Sequence, residues 1–281
     1  MPTPHIYLAP MEGVTTFLYR RAHAAVYGPL DKYFTPFLEP REKRSMKTKE
    51  RNEVLPEHNE SLNVVPQILT NHAAGFLELA GTLWEMGYRE INLNLGCPSK
   101  TVVTRGKGSG FLAAPEELDR FFDAVYKGLP GEMKLSVKTR IGLEADEEFE
   151  RLLAIYNQYP ISELIIHPRL QQDYYKNHPR KAAYRYALEE SKAPLCYNGD
   201  LFTEGQIREF EAEFPKEDRL MLGRGIILNP GLPSVLRGEA DCRDEKAQRR
   251  KFLEFHRRVV DGYRALDIGD RNVRFKVKEL W

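Results

Sequence analysis

The chain has 281 residues, 42% hydrophobic and 30% charged, with a formal net charge of +1 at pH 7. That length suits one large domain, or one large and one small, since an α/β barrel uses ~250 residues. The near-neutral balance excludes a global basic field as the means of attracting nucleic acid, and no run approaches the ~20 consecutive apolar residues that a membrane helix requires.

Short β-rich runs recur along the chain: IYLAP (6–10), KYFTPF (32–37), VVPQIL (64–69), EINLNL (90–95), KLSVKT (134–139), ELIIH (163–167), PLCYN (194–198) and RLMLG (219–223). Most are continuously apolar rather than alternating, as strands buried on both faces of a parallel sheet should be. The intervals carry helix signals. Asn71 is the expected cap of AAGFLELAGTLWEMG, and APEELDRFFDAVYKGLPG has acids in its first turn and glycine at its end; similar patterns cover 146–159 and 203–214. Eight βα units in series predict an α/β fold, a TIM-type (β/α)8 barrel, with a doubly wound open sheet as the alternative.

After Leu236 the pattern changes to KAQRRKFLEFHRRVVDGYRALDIG, with Phe252, Phe255, Val259, Val260 and Tyr263 at helical spacing and arginines between them. The expected division is a barrel over 1–238 and a small helical domain over 239–281, which ends KELW without a cap and is expected to be cut short. An aromatic stripe of this kind is more often core than a binding face. Two segments are locally basic: 41–51 holds six basic residues against two acidic, and 243–281 holds twelve against seven. Mixed-sign runs of this sort are usually solvated faces.

The three cysteines, Cys97, Cys196 and Cys242, are an odd number without C-x-x-C spacing. That argues against a disulfide framework and a structural zinc site, so no metal is expected and a free thiol is. The N-terminal MPTPHIYLAP lacks the basic flank, apolar segment and cleavage site of an export signal, so a cytoplasmic location is the expectation.

In such barrels the loops after the C-terminal ends of the strands build the active site. Here they carry APMEG, Gln67, NLGCPSK, KTRIG, HPR, NGD and GRG. Asn198-Gly199-Asp200 and Gly223-Arg224-Gly225 follow the seventh and eighth runs, where glycine-exposed amides and a helix N-terminus commonly hold phosphate; Arg224 adds a forked donor. Lys138, near the end of an otherwise apolar strand, needs an anion such as the N1/O2 edge of a reduced flavin; the alternative is a packed stem whose head reaches water. His167 is a lone strand-end histidine. RGKGSG (105–110) lacks the Walker spacing and reads as a mobile loop, a possible lid beside Cys97. Cys97 itself sits between Gly96 and Pro98, where the chain must turn, rather than inside the apolar run where a packing cysteine belongs.

The pieces LAPMEGVT, QIL, INLNLGCPSKTV, SVKTRIG, IIHPR, YNGD and LGRG, in this order from Leu8 to Gly225, resemble the tRNA-dihydrouridine synthases, flavin-dependent barrels that reduce a uridine in RNA. The resemblance implies FMN contacted by Pro10, Met11, Gln67, Lys138, His167, Asn198, Gly199, Asp200, Gly223 and Arg224. It implies NADPH as reductant, Cys97 as catalytic proton donor, and Asn94, Arg140 and Arg169 as substrate contacts. It also implies tRNA as substrate, with rRNA left open, no membrane, a monomer, and an RNA-binding role for the helical segment. Two positions depart from the usual pattern. His167-Pro168-Arg169-Leu170 stands where many members have His-Gly-Arg-Thr, and Thr16 stands where aspartate is common.

The implied chemistry accounts for the cysteine. Uracil's C5=C6 bond is conjugated to the C4 carbonyl, so hydride from flavin N5 can add at C6 and leave enolate character that a proton at C5 must quench. An ordinary thiol, with a pKa of about 8.5, stays protonated at neutral pH yet transfers its proton readily. The uridine would be extruded from the folded RNA to reach it. The basic runs, with Arg249, Arg250, Arg257 and Arg258, then become candidates for phosphate contact. The competing readings are an FMN oxidoreductase of a free pyrimidine or dihydroorotate, and an RNA-binding barrel without catalysis.

Overall fold

The computed structural model describes residues 3–41, 46–239 and 243–280; Cys242, the Lys43 and Arg44 part of the first basic run, and Trp281 lie outside the described residues. Among those described, nine strand segments run in chain order: β1 His5–Leu8, β2 Lys32–Phe34, β3 Val64–Val65, β4 Gln67–Ile68, β5 Glu90–Leu95, β6 Lys134–Gly142, β7 Leu164–Leu170, β8 Leu195–Tyr197 and β9 Arg219–Leu222. They occupy the eight expected positions. The third run is divided at Pro66, which has no N–H to give a ladder, although its carbonyl still accepts from the Asn92 N–H at 2.9 Å.

The chain forms two compact units, one of Met1–Pro36, Asn52–Val64 and Asp200–Trp281, the other of Phe37–Arg51 and Val65–Gly199. In the first, β1 lies between β2 and β9, both parallel to it, so the first strand is paired with the last. In the second, β4 to β8 are successive parallel neighbours. Burial on both faces explains the unbroken apolar character of the runs: all seven residues of β7 are buried.

Helices separate the strands. Pro115–Gly128 opens on proline with Glu116 and Glu117 in its first turn and buries Leu118, Phe121, Phe122 and Val125. Thr203 caps Glu204–Glu213 through Oγ1, which accepts from the Gln206 N–H at 3.2 Å. The cap expected at Asn71 falls elsewhere. Ala73–Glu85 starts after His72, whose N–H donates to Thr70 Oγ1, while the Asn71 amide is drawn to the Arg105 carbonyl at 3.2 Å.

Beyond β9, Asp244 caps the 21-residue helix Glu245–Ala265. Phe255, Val259 and Tyr263 are buried, the Phe255 ring meeting Tyr19 of helix Phe17–Tyr27 edge-on at 5.1 Å. The stripe is therefore core. Tyr263 also shares a 3.0 Å hydrogen bond with Thr16, the position where the resemblance leads one to expect aspartate. Arg249, Arg250, Arg257 and Arg258 are exposed on the same helix, the last two paired with Glu254.

Candidate active site

Strand register assembles the polar residues of the second unit. Gln67 on β4 is opposite Asn92 on β5, Asn92 is opposite Ser136 on β6, and one step further Asn94 is opposite Lys138. Arg140 is opposite His167 of β7. Residues two apart share a face of a strand, so Asn92 and Asn94 form one set, Ser136, Lys138 and Arg140 a second, and His167 and Arg169 a third.

The backbone around Cys97 is held from two sides. Asn94 Oδ1 accepts from the N–H groups of Gly96 at 3.0 Å and Cys97 at 2.9 Å. The Cys97 carbonyl accepts from Ser109, both N–H at 3.1 Å and Oγ at 2.9 Å. Cys97 itself is half-buried, unlike Cys196, which lies wholly inside on β8. The RGKGSG stretch differs from its expectation as a mobile lid: it enters the buried 3₁₀ turn Gly108–Ala113. A Cβ on Gly108, at φ +56°, would stand 2.8 Å from the Cys97 carbonyl oxygen, and one on Gly110 2.7 Å from the Val103 carbonyl oxygen. These glycines exist so that one backbone can press on another.

Beside this turn stands a group of cations. Burial, and then the Arg140 guanidinium, push the Lys138 ammonium down to about pKa 8; among the described residues no carboxylate pairs with it. Arg140 is completely buried and each of its three nitrogens donates to a backbone carbonyl: Nε to Gly96 at 3.0 Å, and the two terminal nitrogens to Leu170 and Tyr174, each at 2.8 Å. It thus ties the Cys97 turn to the segment after β7, where Tyr174 takes φ +50°. Asp173 anchors that segment. Burial alone would raise its carboxyl, but hydrogen bonds from Arg180, Asn177 and the Leu170 N–H hold it below the usual range.

Arg169, also buried, donates to the Asn177 carbonyl at 2.5 Å and to His167 Nε2 at 2.9 Å. Because guanidinium only donates, Nε2 must accept, which makes the His167 ring neutral with its proton on Nδ1. Pro168, the departure between them, still serves the loop: its carbonyl accepts from the Arg180 N–H. Asn198 is buried at the end of β8, and a Cβ on Gly199 would overlap the Tyr197 ring.

In the first unit, Thr15 Oγ1 accepts from the Met11 N–H at 2.8 Å and faces the Ala9 carbonyl at 3.2 Å, fixing the Pro10-Met11 turn. Gly223 lies beside it, its Cβ position 3.7 Å from Met11 Sδ. Arg224 opens the five-residue helix Arg224–Leu228, bonds Asp200 Oδ1 at 2.5 Å and stacks over Phe202.

An anionic cofactor fits the second unit on one observation: Lys138 is a desolvated cation without a carboxylate partner among the described residues, and a second cation, Arg140, opposes its charge. Bound FMN would be met there by Lys138, with His167 and Asn198 on the adjoining strands. Four contributors had not been singled out from sequence: Asn92, Ser136, Ser109 and Asp173. The two-residue spacing of EINLNL marks Asn92 as sharing a face with Asn94; the others depend on strand register or loop packing and left no local signal.

Comparison with known proteins places this arrangement in a class and then in a family. The fold is similar to that of morphinone reductase in complex with tetrahydroNAD, with a TM-score of 0.57 and 12% identity over 87% of this chain and 90% of that one. A variant of NCR from Zymomonas mobilis gives 0.55 and 13% over 84% and 87%. The fold class is thus the (β/α)8 barrel, here followed by helices. The family model described as "Dihydrouridine synthase (Dus)" matches residues 7–280, and the chain belongs to that family. Curated relatives include "Probable tRNA-dihydrouridine synthase" of Staphylococcus epidermidis and "Probable tRNA-dihydrouridine synthase 2" of Bacillus subtilis, each 30% identical over 82% of this chain and 71% of the relative. No helix among the described residues is long and apolar enough to cross a membrane.

Proposed function

We propose that this protein is a flavin-dependent tRNA-dihydrouridine synthase that reduces the C5=C6 bond of a uridine in tRNA, with NADPH as the electron donor. The family supports the reaction, and one observation carries the site: a half-buried cysteine on a turn fixed by Asn94 and Ser109, next to a strand whose Lys138 ammonium has no carboxylate partner among the described residues. FMN, when bound, supplies the reducing equivalents.

The residues of the chain do the rest. Lys138 offers its charge to the anionic cofactor. Asn94 spends Oδ1 on the Cys97 turn and one Nδ2 hydrogen on Gln67, which leaves its second Nδ2 hydrogen for a carbonyl of the base. Cys97 gives its thiol proton to C5. Arg140 and Arg169 act on the substrate through the loops they hold, since both are buried. Gln67, His167, Asn198 and Gly199 are the further FMN contacts proposed in the second unit. The helical segment 239–281 presents arginines to tRNA phosphate. A monomer in the cytoplasm, where tRNA is matured, completes the reading.

The test is incubation of the purified protein with an unmodified tRNA transcript and NADPH, followed by mass analysis of nucleosides. A gain of two hydrogens on one uridine supports the reading. Reduction of free uracil with none of the tRNA would replace it by a free-pyrimidine oxidoreductase.

A further inference from the structure

Four buried side chains form a single line of hydrogen bonds that ends on the Cys97 turn. Asn94 Nδ2 donates to Gln67 Oε1 at 2.7 Å, Gln67 Nε2 to Asn92 Oδ1 at 2.8 Å, and Asn92 Nδ2 to Ser136 Oγ at 3.0 Å. Ser136 Oγ in turn donates to the Ile91 carbonyl at 3.3 Å. Gln67, Asn92 and Ser136 have no exposed surface, and Asn94 is 7% exposed.

The direction of every amide in this line is forced from its two ends. At one end a backbone carbonyl can only accept, so Ser136 gives its hydrogen there and must receive from Asn92. At the other end the Gly96 and Cys97 N–H groups can only donate, so Asn94 must turn its oxygen toward them. Reversing any one amide would set N–H against N–H or oxygen against oxygen among buried side chains, which is costly.

We infer that Asn92 and Ser136, which lie two residues before Asn94 and Lys138 on β5 and β6, are positioning residues: they help fix the orientation of the Asn94 amide, and through it the backbone that aims the Cys97 thiol. This rests on the reading of Cys97 as the proton donor. Register makes the device possible, because Gln67, Asn92 and Ser136 stand opposite one another on β4, β5 and β6 at one level of the sheet. Losing the Ser136 hydroxyl leaves the Asn92 donor without that acceptor and removes one of the two ends that hold the amides in their orientation.

The experiment compares purified full-length Ser136→Ala and Asn92→Leu with wild type. Asn92→Leu keeps the approximate size but removes both the donor to Ser136 and the acceptor for Gln67. The control is Ser162→Ala, which removes a buried hydroxyl that has no hydrogen-bond partner among the described residues. The rate of iodoacetamide alkylation at Cys97 is followed by peptide mass mapping, with Cys196 as an internal reference. Both relay variants should alkylate Cys97 about fivefold faster, the ratio that one lost hydrogen bond of ordinary strength produces, with Cys196 unreactive throughout and the control at the wild-type rate. Dihydrouridine formation should fall about as much while NADPH oxidation is retained.

Wild-type or slower alkylation of Cys97 in Ser136→Ala overturns the inference. So does a parallel rise at Cys196, which marks general loosening. Should Asn92→Leu not fold, Ser136→Ala decides alone. Alkylation needs no RNA, so a wild-type enzyme that reduced no uridine would refute the proposed function and leave this comparison standing.

Discussion

Lys138 gives the sharpest pH dependence. Its ammonium sits at about pKa 8 against an ordinary 10.5, a gap of about two and a half pH units produced by burial and by Arg140. An anionic ligand that stabilised the charge would raise the pKa toward its ordinary value, so ligand binding takes up a proton wherever the free protein has lost one. Below about pH 8 the lysine is charged in both states and affinity is flat; above it, affinity should fall about tenfold per unit, reaching about thirtyfold by about pH 9.5. Fluorescence-quenching titrations of FMN from about pH 7 to about pH 9.5 measure this directly. Lys138→Met should bind more weakly at about pH 7 and show no such slope. Without ligand the sign reverses: the unfolded chain holds the proton more tightly between about pH 8 and about pH 10.5, so stability should rise with pH across that window in wild type and not in the variant. Parallel affinity profiles for the two proteins would refute the reasoning.

Cys97→Ala should keep its flavin and oxidise NADPH, yet lose dihydrouridine formation by at least the ~100-fold typical of a removed general acid, read by nucleoside mass analysis. Arg140→Lys should unfold more easily by at least about 3 kcal/mol in urea titration, because a point ammonium cannot reach three divergent carbonyls and leaves buried acceptors unpaired. Gly108→Ala should cost about 1–3 kcal/mol by the same titration and disturb Cys97, since its Cβ meets the Cys97 carbonyl and its backbone is left-handed. Reversing Arg249 and Arg250 to glutamate should weaken tRNA binding and flatten its dependence on salt, measured by filter binding across a salt series; an unchanged salt slope would remove this helix from the interface.

The order of strands and helices was legible because burial on both faces leaves the same mark, an unbroken apolar run, at each strand. Pro66 was in plain view, but that it would split a strand is a matter of which N–H the ladder needs. Asn71 has the chemistry of a helix cap and lost that role to His72 because the Arg105 carbonyl lay within reach of its amide, a tertiary contact no local pattern contains. In the site, Cys97 and Lys138 were readable as polar residues closing apolar strands, while Asn94 entered through the family resemblance alone. The resemblance marked Arg140 as functional, but not as a side chain that binds the carbonyls of Gly96, Leu170 and Tyr174. Ser136 carries no signal in KLSVKT; its meaning appears only once β5 and β6 are set in register.

The most direct measurement is dihydrouridine mapping by mass spectrometry in tRNA from cells with the gene intact, deleted, and restored as wild type or Cys97→Ala. One uridine position should lose its modification on deletion and regain it with the wild-type chain alone. Unaltered dihydrouridine at every tRNA position after deletion, or full restoration by the alanine variant, would contradict the role assigned to this thiol and its barrel.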